Sequence, residues 1–176
     1  MTCNYSFFLT GLILINTLFI SCTKDDINFE RDYDKSFSAW SNFKKTSGNS
    51  YRYEVVGGSW IGYSWTTIIT ITEGKPTQRY FKLSIPGSTV NIPADQLEWT
   101  ETATELNTHT QSLAAAPVTL DEIYDKAKRE WLIKRDKVHV YFETANNGMI
   151  SSCGYVNDGC QDDCFNGIKI SSIQPL

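Results

Sequence analysis

From Tyr51 onward apolar and polar residues alternate in short runs, separated by residues that turn the backbone. Period two buries one face of a strand and leaves the other in solvent. Tyr51–Val56 reads as a strand and Gly57-Gly58-Ser59 as a turn or bulge. Trp65–Thr72 is rich in β-branched residues, with Thr67, Ile69 and Ile71 on one face. Glu73-Gly74-Lys75-Pro76 turns the chain into Gln78–Ile85, which completes a three-stranded meander. Further along, Lys137–Glu143 places Val138, Val140 and Phe142 inward and His139 outward. Asn146-Asn147-Gly148 is a hairpin signal, because Asn and Gly tolerate positive φ. Met149–Val156 returns, and Phe165–Ser171 forms the last strand. Strand runs punctuated by hairpin turns, with helices outside the meander, predict an α+β fold: an antiparallel sheet of about five or six strands with two helices packed on one face, and not a parallel doubly wound sheet.

Two segments carry the helical period. Tyr33, Phe37, Trp40 and Phe43 recur at intervals of three and four, with Lys44-Lys45 and Gly48 suited to the end of a helix. Thr119 and Glu122 make a capping box, and Leu120, Ile123, Tyr124, Ala127 and Trp131 fall on one stripe. Lys126, Lys128, Arg129, Lys134 and Arg135 cluster late in that element, where cations complement the helix dipole. Between the helices, Pro86–Pro117 is dominated by Ser, Thr, Asn and Pro, with Leu97–Thr102 as a candidate fourth strand. Loops of this length are often functional. The segment holds His109, which on its own reads as incidental.

The amino terminus sets the address. Phe7–Ile20 is an uncharged apolar run that ends at Ser21-Cys22 and is followed by Thr23-Lys24-Asp25-Asp26. An apolar core closing on a small residue and a cysteine reads as a lipoprotein signal peptide cleaved before Cys22, which then bears the lipid. No basic residue lies between Met1 and Ile20, so either the free amino terminus supplies the positive charge that such a leader needs or translation starts elsewhere. Residues 1–21 are therefore signal, 22–32 a tether, and 33–176 one globular domain. The 155 residues left after cleavage suffice for a single core.

Net charge is −4 and no basic run occurs, which argues against a nucleic-acid partner, since phosphate binding needs clustered Lys and Arg. The expected partners are the membrane, through the lipid on Cys22, and an envelope protein.

The last loop, Cys153–Cys164, holds the one constellation with possible chemistry. An exported protein occupies a compartment that permits disulfides, and three cysteines allow one bridge and leave one thiol. If Met149–Val156 and Phe165–Ser171 pair as a hairpin, Cys153 and Cys164 lie nearly opposite, which favours that bridge; Cys153–Cys160 and Cys160–Cys164 are the alternatives. Asn157, Asp158, Asp162 and Asp163 around Gly159 offer hard oxygen donors of the kind calcium takes, with Asp158, Asp162 and Asp163 as its carboxylates. Cys153, Cys160 and Cys164 with His139 are a second, irregularly spaced metal set, suited to zinc.

No nucleophile elbow, phosphate-binding glycine loop or H-E-x-x-H occurs. Glu98 and Glu101 could flank a glycosidic bond only if they converged. The expectation is a protein that is not an enzyme and needs no cofactor beyond the calcium considered above.

The order of elements, with Trp99-Thr100-Glu101, His109, Pro117–Tyr124, Asn147–Ile150 and Asp162–Ile168, resembles small secreted or lipoprotein domains of unknown function from Bacteroidota. The Lys/Asp tract after Cys22 is similar to those that accompany display on the outer leaflet. The resemblance implies a compact α+β domain, lipid-anchored in the outer membrane at the cell surface or, as the alternative, facing the periplasm, with no activity to carry over. Three roles follow as expectations: a binding or accessory module of the envelope, an inhibitor or immunity-type lipoprotein, and a calcium-dependent structural or adhesion domain. For the first, Pro86–Pro117 and the cysteine loop are the contact surfaces.

Overall fold

The computed structural model describes residues 27–87, 92–110 and 112–176. The signal segment and Cys22 lie outside the described residues. Helix α1 (Glu30–Thr46) begins with Glu30 and Asp32 in its first turn and ends with Lys44 and Lys45 in its last, as the helix dipole favours. It takes up three residues of the expected tether. Ile27 is already buried and bridges Ile133, so the globular body includes these positions.

Strands β1 (Tyr51–Gly58), β2 (Ser64–Thr72) and β3 (Lys75–Ser84) form the meander. The β2–β3 turn sits on Glu73 and Gly74, both at positive φ, the geometry a tight hairpin needs. A short helix α2 (Ala94–Leu97) leads into β4 (Glu98–Thr102). Helix α3 (Leu120–Lys126) opens with the Thr119–Glu122 capping box and continues through one π-helical turn, Ala127–Trp131. Strands β5 (Val138–Glu143), β6 (Ser152–Asn157) and β7 (Asn166–Pro175) complete the chain.

All pairings are antiparallel, in the order β4-β3-β2-β1-β7-β6-β5. Among the described residues the sheet has seven strands, not five or six, because Glu98–Thr102 of the candidate segment does form a strand and pairs with β3, while Leu97 ends helix α2. The first four strands grow outward from β1, and the last three grow back until β7 lies beside β1.

One face is apolar. Tyr51, Tyr53 and Val55 of β1, Ile69 and Ile71 of β2, Cys153 of β6, and Ile170 and Ile173 of β7 join Tyr33 and Trp40 of α1 and Leu120, Ile123, Tyr124, Trp131 and Leu132 in one core. The two main helices are also stitched to each other. Tyr33 Oη donates to the Tyr124 carbonyl at 3.2 Å, and Ser36 Oγ meets Tyr124 Oη at 2.7 Å. Tyr124 Oη in turn accepts from the Ile150 N–H at 3.2 Å. The opposite face shows Arg52, Gln78, Lys82 and Glu98 to solvent, the polar half of the alternation.

Candidate binding groove

The core-facing positions of the sheet are not all apolar. Register places Glu101 of β4 opposite Arg79 of β3, Arg79 opposite Ile69, and Ile69 opposite Tyr53. Thr67 is also buried on this face. These polar side chains hold a strap, the connection from 103 to 119, against the sheet. Glu101 Oε1 accepts from the His109 N–H at 2.8 Å, the His109 ring Nδ1 at 3.0 Å and Thr108 Oγ1 at 3.1 Å, and Oε2 accepts from the Asn107 N–H at 2.9 Å. The Arg79 guanidinium donates twice to the same carboxylate, both at 2.8 Å, and once to the Ala115 carbonyl at 3.2 Å. The Ala115 N–H donates to Thr67 Oγ1 at 3.0 Å, Tyr53 Oη donates to the Val118 carbonyl at 2.5 Å, and the Leu120 N–H donates to Tyr51 Oη at 2.9 Å. Burial pushes Tyr51 and Tyr53 well above the ordinary phenol range, so both hydroxyls keep their protons.

The Arg79–Glu101 pair is enclosed, with side-chain exposures of 4% and 0%. Arg79 also lies 5.0 Å from the centroid of the Trp99 ring, and His109 stacks on the same residue, with centroids 4.1 Å apart and the rings nearly parallel. His109 is thus a fixed part of the strap and not an incidental loop residue. Glu98 and Glu101 do not form a carboxylate pair: they sit on opposite faces of β4, with Glu98 in solvent accepting from Tyr80 Oη and paired with Lys82.

Beside the strap the apolar face is incompletely covered, and a groove of about 1030 Å³ opens there. Val55, Trp65 and Ile168 are lined up on its sheet side, Ile123 and Trp131 on its helix side. Leu113, Ala115 and Val118 of the strap form one wall, and Cys160–Phe165 forms another. Trp65 can lie flat here only because its cross-strand partner is Gly57: a Cβ on Gly57 would stand 2.3 Å from the indole. Pockets of this size and lining are where proteins hold ligands.

The cysteine loop is closed differently from the favoured expectation. Cys160 bridges Cys164, with Cα atoms 6.2 Å apart. The register of the β6–β7 ladder sets Cys153 opposite Ile168, and β7 begins only at Asn166, so Cys164 lies in the loop. Cys153 is buried in the core, and burial pushes its thiol up to about 12. A thiol held protonated is a poor nucleophile. Iodoacetamide is therefore expected to leave native Cys153 unmodified and to alkylate it once in urea, with Cys160 and Cys164 recovered as one bridged peptide by mass spectrometry; rapid native alkylation would contradict the buried position.

The three carboxylates considered for calcium are not gathered at one point. Asp158 pairs with His139 Nε2 at 3.1 Å, Asp163 accepts from Ser59 Oγ at 3.0 Å, and Asp162 is exposed. The cysteine and His139 set does not assemble either, since two of its thiols form the bridge. Among the described residues, no group of three or more His, Cys, Asp and Glu is gathered as for a metal ion. No described helix is long and apolar enough to cross a membrane.

The fold and groove define an α+β domain, mostly sheet, with a strapped and partly open concave face. Against protein-family models, curated proteins and solved structures, the chain shows no match.

Proposed function

We propose that this protein is a membrane-anchored binding module of the cell envelope, and that its ligand seats in the groove. Cys22 carries the lipid, and the domain stands at the outer-membrane surface. One observation supports the groove above other surfaces: two irregular segments, distant in sequence, meet at it, and each is independently fixed. The strap is tied down by the polar row from Glu101 to Tyr51, and the 160–164 loop is closed by its disulfide. Binding surfaces gain when loops are fixed beforehand, because less entropy is lost on association. A non-catalytic reading suits the same geometry, since both Glu101 oxygens are occupied in holding the strap.

A photo-cross-linking amino acid at Leu113 or Gln161 in the full lipidated chain, on intact native cells, tests the reading. Both positions should give the same adduct, and Gln78 on the opposite sheet face should give none. Equal adducts from all three, or none from the groove positions, would overturn it. In the same cells Cys22→Ser should abolish palmitate incorporation; persistent labelling would refute the anchor.

A further inference from the structure

The ladder between β1 and β7 ends at Val55 opposite Ile170. Beyond it, Val56–Gly58 stays paired with β2 alone, and Asn166–Tyr155, Gly167–Gly154, Ile168–Cys153 and Lys169–Ser152 pair β7 with β6 alone. The two central strands of the sheet therefore splay, and both splayed stretches line the groove. A strand edge without a neighbour presents a row of N–H and C=O groups that templates another extended chain. Proteins usually blunt such an edge with charge or proline; Val56-Gly57-Gly58 carries neither.

The surroundings point to the side chains of the occupant. At the tip of the β1–β2 hairpin, whose Ser59 and Tyr63 line the groove, Trp60 is 75% exposed and Ile61 52%. Across the opening, Leu113 is 53% exposed. Exposed aromatic and aliphatic side chains around a concave site are typical anchors for a partner. The charges of the lining are unequally satisfied. Lys126 meets Glu130 at 3.8 Å and lies over Trp131, Lys169 lies over Phe165, and Glu122 is held in its capping box. Asp162 and Asp163 have no cation partner among the described residues, and Asp163 accepts only the Ser59 hydroxyl.

We propose that the groove receives an extended polypeptide segment of a partner protein, which pairs backbone to backbone with the open edge at Val56–Gly58 and brings a Lys or Arg to Asp162 and Asp163. The proposal rests on the groove being the binding site. Strand addition of this kind takes its affinity from main-chain hydrogen bonds and its selectivity from alternate side chains.

The test uses the full chain in detergent micelles and a displayed library of random linear dodecapeptides. Enriched peptides should show alternating apolar residues and at least one Lys or Arg. N-methylating single backbone nitrogens of one such peptide should weaken binding about tenfold only at alternate positions of the short stretch that faces Val56–Gly58 and little elsewhere, since each removed hydrogen bond to the edge is worth about a factor of ten. The double variant Asp162→Asn, Asp163→Asn should weaken the same peptide and flatten its salt dependence. Enriched peptides that tolerate N-methylation throughout, or that bind the double variant unchanged, would overturn strand pairing or the basic contact respectively. No enrichment, with cross-links from Leu113 and Gln161 intact, would leave the groove as the site and assign it a small apolar ligand instead. Loss of both would remove the groove itself.

Discussion

Glu101→Gln is expected to lower the free energy of unfolding by about 3–5 kcal/mol, the cost of breaking one side of a buried ion pair. The Arg79 guanidinium remains charged in any accessible pH range, is almost fully enclosed, and pairs with no other carboxylate among the described residues. The substituted amide also turns a donor toward Arg79 or toward the strap. Urea unfolding measures the effect; a change below about 1 kcal/mol would show that the pair does not anchor the strap. Replacing both partners, Arg79→Met with Glu101→Met, should cost less than Glu101→Gln alone, because no uncompensated charge is left behind. It should not restore full stability, since the Asn107 and His109 N–H groups lose their acceptor.

The same pair makes stability depend on acid. Burial alone would push the Glu101 carboxyl up, but the hydrogen bonds from Arg79, from the His109 N–H and ring, and from the Asn107 N–H outweigh it and hold the group well below the usual carboxylate range. An unfolded Glu titrates at about 4.3. A folded value below the unfolded one means that the contribution is fully present above about pH 5 and is lost as pH falls through the unfolded value and beyond. Wild-type stability should therefore decline more steeply from about pH 5 downward than that of Glu101→Gln. Parallel curves would place the acid response elsewhere.

The strap is the part of the chain whose structure its own residues do not specify. Ser, Thr, Asn and Pro in 103–119 impose no period, and what orders them lies in other elements, on β1, β2, β3 and β4. A faint signal was present: Arg79 shares its strand face with Phe81, and Glu101 shares its face with Trp99. Opposite charges at core-facing positions of two strands are worth pairing with each other, because neither is buried alone. Where local chemistry dominates, the reading was close. The Thr119–Glu122 capping box forms as the spacing implies, and His139 points outward from β5. The disulfide departs from expectation because it depends on the register between β6 and β7. The register sets Cys153 against Ile168, four residues past Cys164, and register is fixed by pairing that alternation alone does not encode. The groove could not be read at all, since it arises where the β1–β7 ladder ends early, and the two strands are far apart in the chain.

Trp40→Ala is expected to cost about 3–5 kcal/mol, as for other large core truncations. The indole is fully buried at the junction of three elements: edge-on to Tyr51 of β1 with centroids 5.1 Å apart, stacked with Tyr124 of α3 at 6.4 Å, and tilted against Phe43 of its own helix. Its Nε1–H donates to Asp121 at 3.0 Å, in the first turn of α3, and Lys44 Nζ holds the same carboxylate at 2.6 Å. Trp40→Phe separates packing from polarity. It keeps a ring in the site and drops the Nε1 bond, while Asp121 keeps Lys44 and water, so it should cost about 1–2 kcal/mol. Because a domain of this size is stable by only about 5–15 kcal/mol, Trp40→Ala should lower the urea midpoint far more than Trp40→Phe. Equal costs for the two would mean that the hydrogen bond, not the ring, docks α1. The distinction bears on the groove, since Ile123 and Trp131 reach it from α3 and the adjoining turn. Trp40→Phe should preserve cross-linking from Leu113, whereas Trp40→Ala should lose it in step with the loss of folded protein, because no Trp40 atom lies in the groove lining and the helix can affect the site only by holding α3 in place.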